Sequence, residues 1–554
     1  MSEKMKRIFG IDLGTTYSSI AYVDEYGKPV IVPNSENQRI TPSVVFFDGG
    51  IIVVGEVAKE SSKLYPNEVV SFIKRSMGEP DWVFEYDGKI YHPEEISSFI
   101  LRKVVQDAEQ NLGEKVTDVV ITCPAYFGIN EREATRRAGE IAGFNVRQII
   151  NEPTAAAIAY GAVDPSEKRV VLVYDLGGGT FDITLIDIQP DTIEVICTGG
   201  DHNLGGKDWD DRIITYLVKE FQKQTGTTED ILEDPDTCQD LQLSAEKAKK
   251  IMTQREKTPI AITHGGERVK IELARSKFEE ITQDLLERTI VFTRDILSEA
   301  KRKGYEEFDD IILVGGATRM PQVAERIKRE FSLAPKIFDP DEAVAKGAAI
   351  YGWKLSLNDG LVKRVAKKER KPDMDISEVI DLREDMVVKE AARELAEETG
   401  YTLPAVEGSL IQIKDVSSKS FGVVVRNPNE EELVYNIIVK NTPVPVSGAK
   451  TFYTAVADQE TVLIRIMENE TSQQTVQPDH AVEIGTAVLN LPRGLPQDLP
   501  IDISFSLNRE GRLEMTAVET SQERKIAVVI ETKAVIQGEE LEEAIARRQS
   551  LVVH

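Results

Sequence analysis

Two segments of this chain share one order of residue types: an apolar run, an aspartate, a turn of glycine and threonine, and a second apolar run. The first turn covers residues 12–16, and the second covers residues 175–180. Glycine lets the backbone bend tightly and present N–H groups to an anion, and threonine adds hydroxyl donors. The aspartate in each turn can bind a hydrated Mg²⁺ ion, because hard cations prefer oxygen ligands. Two such hairpin tips facing each other predict a site for ATP and its magnesium ion.

A single glycine-rich turn of this kind is also typical of an ordinary tight hairpin. The repeat favours nucleotide binding, because both copies carry the acid just before the glycines. The sequence contains no Gly-x-x-x-x-Gly-Lys-Ser/Thr segment, which argues against a P-loop site.

Length, charge and cysteine content narrow the class of protein. The chain has 554 residues, enough for about two to four domains. Its formal net charge of −27 argues against nucleic acid or an anionic membrane as the main partner. No apolar run reaches the roughly 18 residues of a membrane span, and the first predicted strand follows the N-terminus without the apolar core of a signal peptide. The three cysteines are far apart and predict buried thiols, so we expect a cytoplasmic protein.

A second pair of similar segments lies behind the two turns. Residues 118–124 form a predicted strand that leads into a helix over residues 129–142, and residues 309–316 form another that leads into a helix near Met320. We interpret the repeated order of hairpin, strand and helix as an internal duplication, which gives an α/β domain with two lobes and a central cleft. Ligands of such sheets bind at the carboxyl ends of the strands, where the turns would lie.

A helical stretch between about residues 208 and 253 carries polar residues on one side. The residues that share this side at helical spacing are Glu246, Lys249, Lys250 and Thr253. Taken alone, the pattern is typical of a solvated charged face.

The composition changes after Trp353. Residues 360–404 are rich in charged residues and predict two helices, near residues 376–382 and 387–398. Short β-type runs separated by turn signals then predict a β-sandwich. We therefore expect four parts: a nucleotide-binding domain (1–356), a charged linker with a helical insert (357–408), a sandwich (409–536) and a short C-terminal helix (537–554).

In this order, the segments resemble the DnaK-type, seventy-kilodalton heat-shock chaperone family. The resemblance covers nearly all of residues 6–353 and continues more weakly through residues 409–532. It is carried by Ile11-Asp12-Leu13-Gly14-Thr15-Thr16-Tyr17-Ser18, Phe72-Ile73-Lys74-Arg75, Pro124-Ala125-Tyr126-Phe127, Ile149-Ile150-Asn151-Glu152-Pro153, Tyr174-Asp175-Leu176-Gly177-Gly178-Gly179-Thr180-Phe181-Asp182, Gly315-Gly316-Ala317-Thr318-Arg319-Met320-Pro321, Asp341-Glu342-Ala343 and, in the second half, Lys440-Asn441-Thr442 and Pro492-Arg493-Gly494-Leu495-Pro496. The family implies an actin-like ATPase domain joined to a β-sandwich that binds extended apolar segments of unfolded proteins, with slow ATP hydrolysis as a timer.

The resemblance implies which residues carry out hydrolysis. They are Lys74, Glu152, Asp175, Thr180, Asp12 and Asp182. Lys74 would contact the γ-phosphate and the attacking water, and Glu152 with Asp175 would orient that water. Asp12, Asp175 and Asp182 would organise Mg²⁺ and an accompanying K⁺, largely through water. Without the resemblance, Lys74 is typical of a surface lysine, and Glu152 of a carboxylate that favours a helix start.

The family also implies which residues bind ATP or ADP. They are Thr15, Thr16, Tyr17, Gly177, Gly178, Gly179, Gly205, Gly206, Glu246, Lys249, Lys250, Thr253, Gly315, Gly316, Arg319 and Asp341. On this basis the charged helical side lines the cleft. Pro124 and Arg132 would relay the nucleotide state outward.

Six apolar positions match the family's peptide groove. They are Val423, Val425, Phe452, Ala455, Val462 and Ile464. An extended peptide would bind there through backbone hydrogen bonds and one or two apolar pockets. Plain sandwich core remains the competing interpretation, because alternation in any half-buried strand gives the same pattern.

Three features depart from the family's pattern. Residues 410–415, at the family's interdomain linker, match it cleanly only at Asp415 and follow a charged insert. Only 17 residues follow Gln537, too few for a helical-bundle lid, so we expect a lidless member that releases peptide quickly. Gln148 stands where the family often has the arginine contacted by J-domain co-chaperones, and Arg426 replaces an apolar residue of the arch over the groove. The implied partners are unfolded polypeptides and a J-domain co-chaperone.

Three functions from different classes fit the sequence. The first is an ATP-driven peptide-binding chaperone. The second is an actin-like ATPase that uses its β-domain as a dedicated partner or regulatory module. The third is a metabolite kinase on the same fold, which would leave the sandwich unexplained. Binding of fluorescent apolar peptides separates the first from the second.

Overall fold

The computed structural model describes residues 6–554 apart from residues 163–167, 191, 411, 428, 509–510, 520–523 and 530–534. Two lobes with related α/β sheets are followed by a helical insert and a β-sandwich. In the ranges just given, none of the helices is long and apolar enough to cross a membrane.

Lobe I contains the first glycine-threonine turn. Its elements are β1 (Ile8–Asp12), β2 (Tyr17–Val23), β3 (Pro29–Ile31), β4 (Thr41–Pro42), β5 (Val44–Asp48), β6 (Ile51–Val54), α1 (Glu56–Ser61), β7 (Val69–Ser71), β8 (Phe84–Tyr86), β9 (Lys89–Tyr91), α2 (Pro93–Leu112), β10 (Asp118–Cys123), α3 (Ile129–Ala142), β11 (Asn145–Asn151) and α4 (Glu152–Gly161). The strand order of its main sheet is β11-β10-β1-β2-β3, with β1 antiparallel to β2 and parallel to β10. The turn after β1 and the end of β10 therefore lie at one edge of this sheet.

Lobe II contains the second turn. Its elements are β12 (Arg169–Leu176), β13 (Phe181–Gln189), β14 (Thr192–Asp201), α5 (Gly206–Thr225), α6 (Pro235–Met252), β15 (Lys257–His264), β16 (Glu267–Ala274), α7 (Arg275–Ile281), α8 (Gln283–Arg302), β17 (Asp310–Val314), α9 (Pro321–Phe331), β18 (Lys336–Ile337) and α10 (Ala343–Glu369). The strand order β18-β17-β12-β13-β14 repeats that of lobe I, with the same strand directions. The predicted helical stretch over residues 208–253 is two helices, α5 and α6.

Helices α4 and α10 pack together between the two sheets in one apolar core. A Cβ atom on Gly347 of α10 would lie 1.7 Å from Ala155 O of α4. A Cβ atom on Gly10 of β1 would lie 2.1 Å from Ala349 N. Glycine at both positions lets the backbones approach closely, which fixes the two lobes around a common centre.

The segment predicted as a charged linker is folded. Helix α10 runs through the expected boundary at residue 356 without a break, and α11 (Ile376–Asp381), α12 (Met386–Thr399) and α13 (Leu403–Glu407) pack against its second half. Their shared core contains Leu361, Val365, Val379, Val388 and Leu395. Helix α10 continues past the predicted boundary because no proline interrupts it and because apolar residues recur at helical spacing beyond residue 356.

The sandwich region contains β19 (Gln412–Val416), β20 (Ser420–Arg426), β21 (Glu432–Ile438), β22 (Pro443–Val444), β23 (Val446–Tyr453), β24 (Thr461–Asn469), β25 (Thr475–Val476), β26 (Val482–Asn490), β27 (Pro500–Leu507), β28 (Leu513–Glu519) and β29 (Arg524–Val529). Its two sheets have the orders β25-β21-β20-β24-β26 and β23-β27-β28-β29. Strands β19 and β22 lie at the start of this region but belong to neither sheet: β19 pairs parallel with β14 of lobe II and antiparallel with β22. One sheet therefore extends from lobe II into the sandwich region.

The C-terminal segment differs from the single helix predicted over residues 537–554. Helix α14 (Gly538–Ser550) is followed by β30 (Val552–Val553), which pairs parallel with β6 of lobe I. Val553 is 2% exposed and belongs to the core of lobe I, whereas Val552 is 54% exposed. The helix ends at Ser550 because the two valines that follow Leu551 add a strand to an open sheet edge and bury one side chain there.

Candidate active site

The two glycine-threonine turns face each other across the cleft. A Cβ atom on Gly178 would lie 2.2 Å from Thr16 Oγ1, and one on Gly179 would lie 2.4 Å from Thr15 Cγ2. Any larger residue would separate the turns, so this contact requires glycine. The turns follow the carboxyl ends of β1 and β12, where sheets of this kind bind ligands.

A cavity of about 700 Å³ lies between the turns. It is lined by most of the residues predicted to bind nucleotide or metal: Asp12, Thr15, Thr16, Tyr17, Lys74, Glu152, Asp175, Gly177, Gly178, Thr180, Gly206, Glu246, Lys249, Lys250, Thr253, Gly315, Gly316, Arg319 and Asp341. The volume falls in the range of small-molecule and cofactor sites.

A buried ion pair between Lys74 and Glu152 contributes to the cavity wall. Lys74 lies in a 3-10 turn (Ile73–Ser76) that follows Phe72, whose φ of 61° is left-handed. Glu152 is the first residue of α4, where the helix dipole favours a carboxylate. Lys74 is 5% exposed and Glu152 is 6% exposed, so solvent screens the pair little. The interpretation of Lys74 as a surface lysine is therefore wrong.

Three aspartates are buried around this pair. Burial, together with the charge of Glu152, raises the pKa of Asp12 to about 7. The same two causes raise the pKa of Asp175 and of Asp182 well above the ordinary value. The charge of Lys74 opposes the rise in pKa at all three aspartates. Buried carboxylates that resist ionisation gain free energy when a cation binds among them.

The oxygen atoms of these aspartates suit a hard cation. Asp182 Oδ1 accepts a hydrogen bond from Ala125 N at 2.8 Å, and Asp182 Oδ2 is buried without a hydrogen-bond partner among the described residues. Within that same part of the chain, no three His, Cys, Asp or Glu side chains converge closely enough to ligate a metal directly. Mg²⁺ keeps several waters in such sites and takes further oxygens from nucleotide phosphates. The residues therefore fit a magnesium ion that is bound largely through water.

Glu246 of α6 lies in the cavity wall between two lysines. Its carboxylate is 2.7 Å from Lys250 Nζ and 2.5 Å from Lys59 Nζ, and Tyr17 OH donates to it at 3.2 Å. Burial acts to raise the pKa of Glu246, but the two lysines outweigh it and lower the pKa to about 2. Because Lys59 belongs to α1 of lobe I, the ion pair joins the two lobes. The charged side of α6 is therefore not a solvated face.

The opposite wall comes from the end of β17 and the start of α10. Gly315 has a φ of 83° and packs so closely on β12 that a Cβ atom would lie 2.4 Å from Leu176 O. Arg319 Nη2 lies 2.5 Å from Asp341 Oδ2, and the Arg319 side chain is 51% exposed. A planar guanidinium at the cavity wall suits stacking on an aromatic base.

Known proteins resemble this sequence over nearly the whole chain. A family model described as Hsp70 protein matches residues 8–83, 79–366 and 381–553. The chain is also 37% identical over 556 residues to the Chaperone protein DnaK of Thermosipho melanesiensis, and this match covers 98% of this chain and 83% of that protein. This chain belongs to the Hsp70 family. It is therefore an ATP-dependent chaperone and an ATPase, and its family binds ATP or ADP with Mg²⁺. Neither of the two competing functions is favoured by these matches.

Three of the residues predicted to bind nucleotide or metal do not line the cavity: Asp182, Gly179 and Gly205. Asp182 is 1% exposed. A Cβ atom on Gly205 would lie 2.5 Å from the carbonyl carbon of Gly179, so these two glycines pack the turn against the start of α5. All three residues support the wall from behind.

The cavity is also lined by residues outside the predicted set. These are Gly14, Ser19, Glu36, Gln38, Ile40, Pro42, Glu56, Ala317, Met320, Pro340 and Val344. Gly14, Ala317 and Met320 fall inside recognised motifs, so their positions could have identified them. The residues between 36 and 56 carry no local signal, because only the folding of lobe I brings them to the cleft.

The predicted groove residues divide into buried and accessible positions. Val423 is 2% exposed and Ile464 is 3% exposed, and both lie in the sandwich core. The remaining positions are half-buried or exposed: Val425, Phe452, Val462 and Ala455. Only this second group has side-chain surface that is accessible from outside the sandwich.

The two predicted relay residues lie between the cavity and the sandwich. Pro124 follows β10, and Arg132 on α3 donates a hydrogen bond to Ala125 O at 3.1 Å and contacts Asn151 Oδ1. Asn151 Nδ2 donates to Asp415 Oδ2 of β19 at 2.7 Å. A chain of polar contacts therefore connects the segment after β10 with the interdomain strand.

Proposed function

We propose that this Hsp70 hydrolyses ATP at the Lys74–Glu152 pair, with the γ-phosphate against Lys74. The proposal is supported by one buried ammonium and several buried carboxylates that share the wall of a cavity between two phosphate-binding turns. Transfer of a phosphoryl group to water depends on positioning and charge neutralisation more than on covalent chemistry. Bound Mg²⁺ supplies neutralisation of the phosphate charge.

The carboxylates divide the remaining tasks. Glu152 and Asp175 accept hydrogen bonds from the attacking water and from waters around the metal, which fixes the direction of attack. Asp12 and Asp182 organise the hydrated Mg²⁺ and an accompanying K⁺. The Thr180 hydroxyl donates to a phosphate oxygen from the second turn.

Adenosine binds between α6 and the turn after β17. Glu246, Lys249 and Lys250 supply donors and acceptors for the ribose and the base edge. Arg319 covers the face of the base from the opposite wall. This arrangement is supported by the position of both sets of residues on one cavity, where a Cβ atom on Gly206 would lie 3.0 Å from Lys249 Nζ and 3.5 Å from Ala317 Cβ.

The sandwich binds extended apolar segments of unfolded proteins. A peptide placed beside β20 and β24 meets Val425 and Val462, which are half-buried and available for contact. Backbone hydrogen bonds give such a peptide affinity, and an apolar pocket selects its side chains.

A J-domain co-chaperone and a cytoplasmic location complete the proposal. Arg147, beside Gln148, lies 2.7 Å from Asp359 of α10. A co-chaperone that binds at this surface must compete with that ion pair.

The test is the release rate of a fluorescent apolar peptide from the full chain with ATP and with ADP. We expect release to be at least about tenfold faster with ATP, which corresponds to a coupling of about 1.4 kcal/mol. Equal rates would contradict coupling between the sites. Undetectable peptide affinity with ADP and without nucleotide would contradict peptide binding itself.

A further inference from the structure

One short segment of lobe I donates a backbone hydrogen bond to the nucleotide site at one end and to the sandwich at the other. The segment comprises residues 124–129, from the end of β10 to the first residue of α3. Near its start, Ala125 N donates to Asp182 Oδ1 at 2.8 Å. At its end, Ile129 N donates to Glu468 Oε2 at 3.1 Å, and Glu468 belongs to β24 of the sandwich. The sandwich therefore docks on lobe I through a carboxylate.

Glu468 is buried by this docking. It is 8% exposed, and a Cβ atom on Gly128 would lie 2.2 Å from Glu468 Oε1. Ile129 N is its one hydrogen-bond partner among the residues that the structure describes. A single backbone N–H compensates only part of the hydration that an ionised carboxylate loses on burial. The docked arrangement therefore disfavours the charged form of Glu468.

The cation that acts most strongly on Glu468 has its direct ion pair with another residue. Lys419 precedes β20, is 7% exposed and lies with its Nζ 5.6 Å over the Tyr126 ring. Its Nζ lies 2.7 Å from Glu470 Oε1, so Glu470 takes the direct ion pair. Lys419 therefore attracts Glu468 only from a distance.

The remaining charged and titratable groups around Glu468 come from each neighbouring element. They are Glu131 of α3, Tyr126 of the segment, Glu470 after β24, Lys440 and His202 facing Glu470, and Glu483 of β26, which pairs with Arg465 at 2.8 Å. Burial is the largest influence and raises the pKa of Glu468 to about 7. Lys419 and the Ile129 N–H lower the pKa, whereas Glu131 and Glu470 raise it.

We propose that docking of the sandwich on lobe I is coupled to protonation of Glu468. The docked arrangement binds a proton at this carboxyl that an undocked, solvated sandwich releases. This proposal requires neither ATP hydrolysis nor peptide binding, so it stands or falls separately from the function proposed above.

The direction of the effect follows from the two pKa values. An unperturbed glutamate has a pKa of 4.5, and docking raises it to about 7. Docking is therefore most favourable below pH 4.5 and weakens as the pH rises through about 7. Between pH 6 and pH 8 the docking equilibrium constant should fall about tenfold.

The experiment measures hydrogen exchange of the full chain between pH 6 and pH 8, read as protection factors so that the intrinsic pH dependence of exchange cancels. The reporters are the Ile129 amide and the amides of β19. The nucleotide condition is the one that gives the highest protection at the Ile129 amide. We expect these protection factors to fall about tenfold across the range in the wild-type chain.

Two variants isolate Glu468. Glu468→Gln keeps the shape and an acceptor for Ile129 N but cannot titrate, so its protection factors should not change with pH. Glu460→Gln changes a sandwich carboxylate that is 55% exposed and should retain the wild-type slope. A flat wild-type profile, or a Glu468→Gln profile with the wild-type slope, overturns the proposal. The wild-type measurement decides the matter even if the Gln variant folds poorly.

Discussion

Replacing Lys74 is the sharpest test of the proposed hydrolysis mechanism. Lys74→Met removes the ammonium but retains a long apolar side chain in a position that is 5% exposed, so it limits the cavity that Lys74→Ala would leave. Glu152 then loses its ion-pair partner, and Asp12, Asp175 and Asp182 lose the cation that opposes their raised pKa.

The expected magnitude comes from the position of Lys74. An ammonium about 4 Å from a unit of charge on the transferring phosphoryl group contributes about 4 kcal/mol at an effective dielectric constant of about 20. Loss of a single preorganised donor in other active sites costs about 2.7–4 kcal/mol. We therefore expect hydrolysis of bound ATP to slow by about 10²- to 10³-fold. Binding of ATP should change by less than about tenfold, because Mg²⁺ and the two turns still neutralise the phosphates.

Single-turnover hydrolysis, with enzyme in excess over ATP, separates the chemical step from product release. Nucleotide affinity is measured on the same preparations by calorimetry, and thermal unfolding confirms that the variant is folded. Lys115→Ala is the matched control, since the Lys115 side chain is 85% exposed and far from the cavity residues in the sequence. If Lys74→Met hydrolyses bound ATP within about threefold of the wild-type rate, the role assigned to Lys74 is wrong.

Three further predictions test other parts of the molecule. Glu246→Gln weakens two ion pairs, one of which joins the lobes, so ADP release measured by stopped flow should become about 5- to 30-fold faster. The control Glu272→Gln, at a position of lobe II that is 59% exposed, should leave the release rate unchanged. Val462→Phe should reduce the affinity for a fluorescent apolar peptide at least about tenfold by filling the groove, whereas Leu463→Phe, at the adjacent position that is 61% exposed, should leave this affinity unchanged. Equal affinities of the two variants in fluorescence anisotropy would place the groove elsewhere. Val553→Asp buries a charge in the core of lobe I and should lower the unfolding free energy by more than about 2 kcal/mol. Val552→Asp, at a position that is 54% exposed, should have little effect, so similar melting temperatures for the two variants would contradict the burial of Val553 in β30.

The sequence was most informative where the structure depends on local geometry. The two turns could be predicted because glycine and threonine at fixed spacing specify both the bend and the donors. The helices near residues 376–382 and 387–398 were anticipated to within a few residues, since apolar periodicity decides them. What the sequence could not provide was their packing on an extended α10, which depends on contacts between segments far apart in the chain.

The candidate site likewise combines residues set by local motifs with residues that only distant contacts bring together. Lys74 and Glu152 are 78 positions apart, and only the resemblance to a family connected them before the fold did. Lys59 was missed because its partner Glu246 belongs to the other lobe. The C-terminal strand was missed because two valines are too short for a periodicity of two to be visible.

Strand β19 covers part of an edge of the lobe II sheet, because it pairs with β14 from Thr192 to Glu194. Whenever the sandwich moves away and takes this strand with it, the backbone N–H and C=O groups of that edge lose their partners and become a template for another extended chain. Release of β19 would therefore expose, on a chaperone, the type of surface that promotes association. While β19 stays paired, it shields this edge from unfolded chains and from other copies of the protein.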